Sequence, residues 1–151
     1  TINELHYDPN DIIFFGVSLG ACCMTYLCSQ IITENTDDQL YLLKCLPQCI
    51  ILQSCFYTLK QQVNEMFTPL VGLFLTNEFN NAEYIKIIKD TTNCPIFLLH
   101  SKADKFINYK HSENLAKKYG CILYTIYGSH NDPDYESDII KESISKTSKQ
   151  F

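Results

Sequence analysis

Arginine and tryptophan are both missing from this 151-residue chain. Without arginine there is no guanidinium fork to bridge phosphates or read guanine edges, and all 12 basic residues are lysines. Seventeen acids outweigh them, giving a net charge of -5 and a pI near 5.2. That balance argues against a nucleic-acid surface, which needs clustered cations to displace counterions. The absent tryptophan, with abundant Asn, Ile, Lys and Tyr, points to an A/T-rich coding genome. Long apolar runs are lacking too, and none approaches the ~18 to 20 residues of a membrane span. Nothing at the start has the form of a signal peptide. Among the 8 cysteines there is no C-x-x-C pair, the nearest regular spacing being Cys45-x-x-x-Cys49. The chain opens at Thr1 without a methionine, which reads as a fragment.

Hydrophobic residues make up 46% of the sequence and charged residues 19%, the balance of one globular domain with a real core. Cys22, Cys23, Cys28, Cys49, Cys55, Cys94 and Cys121 sit in or beside apolar segments. They read as free, buried thiols in a reducing compartment, because an unpaired cysteine behaves as a small hydrophobe. A cytoplasmic location is expected, with peripheral attachment to a membrane left open.

Four short apolar runs bounded by turn signals recur along the chain: residues 12–15, 50–52, 96–99 and 121–127. Unbroken rather than alternating runs suit parallel strands covered on both faces. Helical patterns fill the gaps at about 19–32, 38–46, 81–91 and 109–119. A last helix is expected from Asp132-Pro133-Asp134, as N-cap, first-position proline and first-turn acid, with Ile139, Ile140 and Ile144 as its stripe. Strand and helix alternate, so the class is α/β with a parallel sheet flanked by helices. The apolar stretch 59–79 breaks the rhythm with Pro69 and Gly72, and is a candidate lid or cap.

Chemistry gathers at the strand ends. Gly16-Val17-Ser18-Leu19-Gly20 follows the first strand and opens a helix, the context that gives G-x-S-x-G its meaning. The turn holds the serine hydroxyl clear of the sheet, and side chains at either glycine are expected to collide. The Leu19 N–H, at the helix start, would face a developing oxyanion. His100-Ser101-Lys102-Ala103-Asp104 follows the third strand, and Gly128-Ser129-His130-Asn131-Asp132 the fourth. Taken singly, Asp104 has a competing role as the cap of its own turn, and His130 reads as an ordinary loop histidine. His100, His111 and His6 read as packed or hydrogen-bonded histidines. Taken together, Ser18, Asp104 and His130 occur in the chain order of an acyl-transfer triad, each in a loop after a strand. In such a triad a neutral imidazole removes the serine proton, and the carboxylate fixes its tautomer.

On these residues, with Asp11 to Gly20, the run Ile51-Leu52-Gln53-Ser54, Pro95 to Asp104 and Gly128 to Asp132, the chain resembles the alpha/beta-hydrolase superfamily. Within it the chain is most similar to the depalmitoylase-like branch. It departs from that branch in having His100-Ser101 where His-Gly is usual, and Val17 before the serine where a polar residue or histidine is common. The resemblance implies Ser18 as nucleophile, Asp104 as acid and His130 as base. It also implies several strands before the first one here, among them a loop that donates the second oxyanion N–H. The chain is therefore expected to be the carboxyl-terminal half of the fold, with an open edge at its first strand.

The function expected is hydrolysis of acyl esters or thioesters, S-acylated proteins included, through a Ser18 acyl-enzyme and without metal or organic cofactor. Two alternatives stay open: a serine peptidase on the same triad, and a non-catalytic binding protein on a truncated hydrolase scaffold.

Overall fold

The computed structural model describes residues 8, 11–33, 46–67, 72, 79–135 and 145. Four parallel strands form in sequence order: β1 (Ile13–Val17), β2 (Cys49–Gln53), β3 (Ile96–Ser101) and β4 (Ile122–Gly128). A two-residue β5 (Pro133–Asp134) turns back antiparallel on β4. Between the strands run α1 (Leu19–Thr33), α2 (Leu59–Met66), α3 (Asn81–Thr91) and α4 (Lys110–Tyr119).

The strands follow from sequence as expected. Every residue of β2 and β3 is buried, so side chains on both faces must be apolar or paired. Ile50, Leu52, Ile96 and Leu98 meet Ala21, Cys28 and Ile32 of α1, Ile85 and Ile88 of α3 and Leu115 of α4. The alternate residues Cys49, Ile51, Phe97 and Leu99 join Ile126 in a second cluster, with Tyr135 packed against it. Full burial of each Ile or Leu side chain stabilises by about 1.5 to 3 kcal/mol, so the two central strands anchor the sheet. The helices are fixed locally as well. Asn80 accepts from the Glu83 N–H at 3.2 Å while its own amide reaches the Glu83 carboxylate at 3.1 Å. This reciprocal pair caps α3. Thr58 caps α2 by accepting from Gln61 N–H.

Three expectations change. Asp132-Pro133-Asp134 does not open a helix. Gly128 (φ +83°) turns the chain so tightly that a Cβ there would lie 2.2 Å from the Asp132 carbonyl oxygen. Ser129 N–H closes the turn onto that carbonyl at 3.0 Å, and Pro133 then pairs with Gly128 on an edge where its missing N–H costs nothing. Residues 136–144, with the isoleucine stripe, lie outside the described residues, as do the helix expected before Pro47 and His6. The second change concerns 59–79: its first eight residues form α2, a helix that periodicity did not reveal. Third, Cys23 is exposed on α1, whereas Cys22, Cys28, Cys49, Cys55 and Cys121 are free and buried as read. Burial pushes the Cys22, Cys28 and Cys121 thiols up to about 12.

Among the described residues β1 pairs only with β2, and its Phe15 and Val17 are 42% and 40% exposed. Parallel strands also send all their carboxyl ends to one rim, where Ser18, Ser54, Asp104 and His130 follow β1 to β4 in turn.

Candidate active site at the strand ends

Ser18 sits between the last residue of β1 and the first of α1, in a left-handed conformation (φ 54°) that a residue with a Cβ avoids. Two backbone bonds hold it: Ser18 N–H to the Gln53 carbonyl at 2.9 Å, and Ala21 N–H to the Ser18 carbonyl at 3.1 Å. A Cβ on Gly16 would lie 2.6 Å from Gly20 O and 2.7 Å from Ala21 Cα, so strand and helix approach too closely for any side chain there. Gly20 is different, since a Cβ at that position meets nothing within 4 Å. The collision expected at both glycines exists at Gly16 alone. Leu19 is the first residue of α1, so its N–H has no intrahelical acceptor and lies beside the serine.

Asp104 divides its two oxygens between two tasks. Oδ1 accepts the N–H groups of Phe106 (2.8 Å) and Ile107 (2.9 Å), capping its own turn. Oδ2 accepts from Ser54 Oγ at 2.9 Å and from His130 Nδ1 at 2.8 Å. The turn-cap role and the histidine-partner role are thus both filled. Burial alone would raise the Asp104 pKa, but the bonds from Ile107, His130, Phe106 and Ser54 outweigh it and hold the carboxyl below its ordinary value. An ionised carboxylate only accepts, so His130 Nδ1 is the donor in this bond. The Phe106 ring lies 5.2 Å from the imidazole and limits its swing. Among the described residues no hydrogen bond links Ser18 Oγ to His130.

Ser101 ties the two loops together, donating to the Gly128 carbonyl and accepting from Ala103 N–H. His100 is fully buried as expected, its Nε2 donating to Ile107 O at 3.0 Å and its Nδ1 accepting from Ser112 at 2.7 Å. His111, also buried, accepts the Tyr57 N–H on Nδ1, so its Nε2 carries the proton donated to Glu65 of α2 at 3.1 Å. Burial pushes both imidazoles below their ordinary value. Ser54 and Phe106 went unassigned at the level of sequence. A strand-end serine is a signal for such a partner only once the topology sets it beside the acid.

The segment read as a lid supplies α2, which lies against the acid loop. Gln62 donates to Phe106 O at 2.7 Å, and a cavity of about 560 Å³ opens between Gln62, Glu65 and Met66 of α2 and Asp104, Lys105 and Phe106. Among the described residues no group of three or more His, Cys, Asp or Glu side chains is placed to hold a metal ion, and no helix is long and apolar enough to cross a membrane.

No protein-family model matches the chain. An uncharacterized protein of Acanthamoeba polyphaga mimivirus is 32% identical over 92% of the chain and 49% of its own length. The chain spans about half the length of the curated relatives it matches. Among solved structures, an alpha-beta hydrolase from Vibrio vulnificus superposes with a TM-score of 0.68 at 13% identity, over 99% of this chain and 52% of that one. An alpha/beta hydrolase from a lagoon-sediment metagenome gives 0.60 at 17% identity, over 99% and 66%. The fold is therefore a partial alpha/beta-hydrolase fold.

Proposed function

We propose that the chain carries the reacting groups of a serine hydrolase for acyl esters or thioesters, with Ser18 as nucleophile, His130 as base and Asp104 as acid. The observation that carries this reading is the 2.8 Å bond between Asp104 Oδ2 and His130 Nδ1 on the rim that also bears the strained Ser18 turn. In this reading His130 Nε2 takes the Ser18 proton as Oγ attacks the acyl carbon. The oxyanion is met by the Leu19 N–H. Collapse breaks the bond to the alcohol or thiol, which leaves with the proton from His130. Water then enters under His130 general-base catalysis, releases the acid and restores Ser18. Asp104 stays ionised throughout and stabilises the imidazolium. S-acylated proteins fall within this substrate class, and α2 serves as the first part of a lid.

The test is covalent labelling by a fluorophosphonate, in which a base-activated Oγ displaces fluoride from phosphorus. In the protein at the full length its gene encodes, Ser18 is expected to carry the label and Ser18→Ala to carry none. Equal labelling of the two would remove Ser18 from the nucleophile role.

A further inference from the structure

Gln53, the last residue of β2, is buried although its side chain is a polar amide. Its main-chain carbonyl accepts the Ser18 N–H at 2.9 Å, so the serine turn hangs on this residue. Ser54, the next residue, gives its hydroxyl to Asp104. The Gln53 side chain lies on the face of the sheet that carries Cys49 and Ile51, because alternate residues of a strand share a face. There its Oε1 accepts the hydroxyl of Tyr135, a residue 82 positions further on. The Tyr135 ring packs against the cluster of Ile51, Phe97, Leu99 and Ile126. Burial raises the Tyr135 pKa above its ordinary value, so the hydroxyl keeps its proton and stays a donor. Tyr135 directly follows β5, the return strand that closes the His130 turn. That strand is two residues long, and so short a pairing is marginal by itself. The turn has two further anchors on the sheet. On the side of β3, Ser101 donates to the Gly128 carbonyl. On the side of β2, Tyr135 reaches Gln53. Gln53 therefore holds the serine turn with its backbone and the histidine turn with its side chain.

We propose that Tyr135 is a positioning residue for this site: its bond to Gln53 fixes where His130 stands relative to Ser18. Its hydroxyl is spent on Gln53 and takes no part in the chemistry. The effect on turnover rests on the hydrolase reading, whereas the anchoring of the turn does not. Tyr135→Phe keeps the ring against the cluster and removes only the donor. Gln53 Oε1 is then buried without a partner, and the histidine turn keeps its Ser101 anchor alone. A misplacement of ~1 Å between reacting groups costs roughly 10²-fold in rate.

Two variants of the protein at the full length its gene encodes separate positioning from simple stabilisation. Tyr135→Phe strands the Gln53 acceptor and should lower Tm. Adding Gln53→Leu removes both polar partners and should recover most of that loss, since no buried group is left unpaired. Both variants are expected to lose roughly 10²-fold in kcat on a p-nitrophenyl ester, with KM within about twofold. A kcat that returns with Tm in the double variant, or that Tyr135→Phe leaves unchanged, overturns the proposal. The second measurement needs no turnover. Hydrogen exchange, read by mass spectrometry on the peptide 127–135, should be at least about tenfold faster in both variants, while peptides of β2 and β3 exchange as before. Exchange that is unchanged at 127–135, or faster throughout, reduces Tyr135 to a stabilising residue and overturns the proposal. Faster exchange confined to 127–135, in a protein that neither hydrolyses the ester nor takes a fluorophosphonate at Ser18, keeps the anchoring and sinks the hydrolase reading. Labelled Ser18 with kcat and exchange indifferent to Tyr135→Phe does the reverse.

Discussion

Asp104 is the residue on which the site turns, because both its oxygens are saturated by donors from four different residues. In the proposed triad only one of those donors, His130, needs a charged acceptor for its chemistry. Asp104→Asn would offer an N–H where His130 Nδ1 also donates, and the imidazole would have to turn over to its other tautomer. The expected loss is about 10⁴ in kcat, on the pattern of other triads. Asp132 offers the control. Its backbone carbonyl, not its side chain, closes the turn after β4, so Asp132→Asn should leave kcat within a few-fold. Steady-state kinetics on an ester substrate decide, and the opposite ranking would move the acid role to Asp132.

At the scale of elements, the joint between β1 and α1 is set by one glycine rather than two. Gly16→Ala would force a Cβ within 3 Å of three backbone atoms, none of which can rotate away. It is expected to unfold the joint or displace Ser18, with a stability loss of several kcal/mol at the upper end of single substitutions (above about 4 kcal/mol). Gly20→Ala has open space around it and removes backbone freedom inside a helix, so it should raise stability by roughly 0.5 to 1 kcal/mol. Thermal denaturation of the two variants reads the difference directly. A comparable loss in both would mean the elbow is tighter at Gly20 than its geometry indicates. Helix α2 is held by pairwise polar ties, Gln62 to Phe106 and Glu65 to His111. Ties of that kind suit the lid role proposed for α2.

For the whole molecule, pH is the informative variable. His100 and His111 are buried and neutral, with folded pKa values below the ordinary value. As pH falls under about 6.5 the unfolded chain takes up protons that the fold refuses, so stability falls with pH. Asp104, with its lowered pKa, contributes stability above about 3.9 that is lost only as pH drops through its lower folded value. The melting temperature should therefore hold between pH 8 and 7 and decline from about 6.5 downward, well before the carboxylate matters. His111→Gln keeps an acceptor for Tyr57 and a donor for Glu65 while removing one titration, and should flatten that decline. A slope identical to the unmodified protein's would mean His111 titrates alike in both states.

The sequence by itself determined the four strands and the spans of α1, α3 and α4, because each is written in local periodicity. It also determined which residues crowd the strand ends, since parallel strands must send their following loops to one rim. Only the tertiary structure decided what those residues do to one another. That Ser54 shares an oxygen with His130, and that Phe106 covers the imidazole, depends on partners 50 and 24 positions away in the chain. That Gly20 is free while Gly16 is not depends on how closely β1 and α1 approach. The end of the chain shows the limit most plainly. Asp132-Pro133-Asp134 carries every local sign of a helix start, yet the turn at Gly128 brings Pro133 and Asp134 back against β4. Local capping preferences are worth about 1 kcal/mol, and a strand pairing fixed by a tight turn outweighs them.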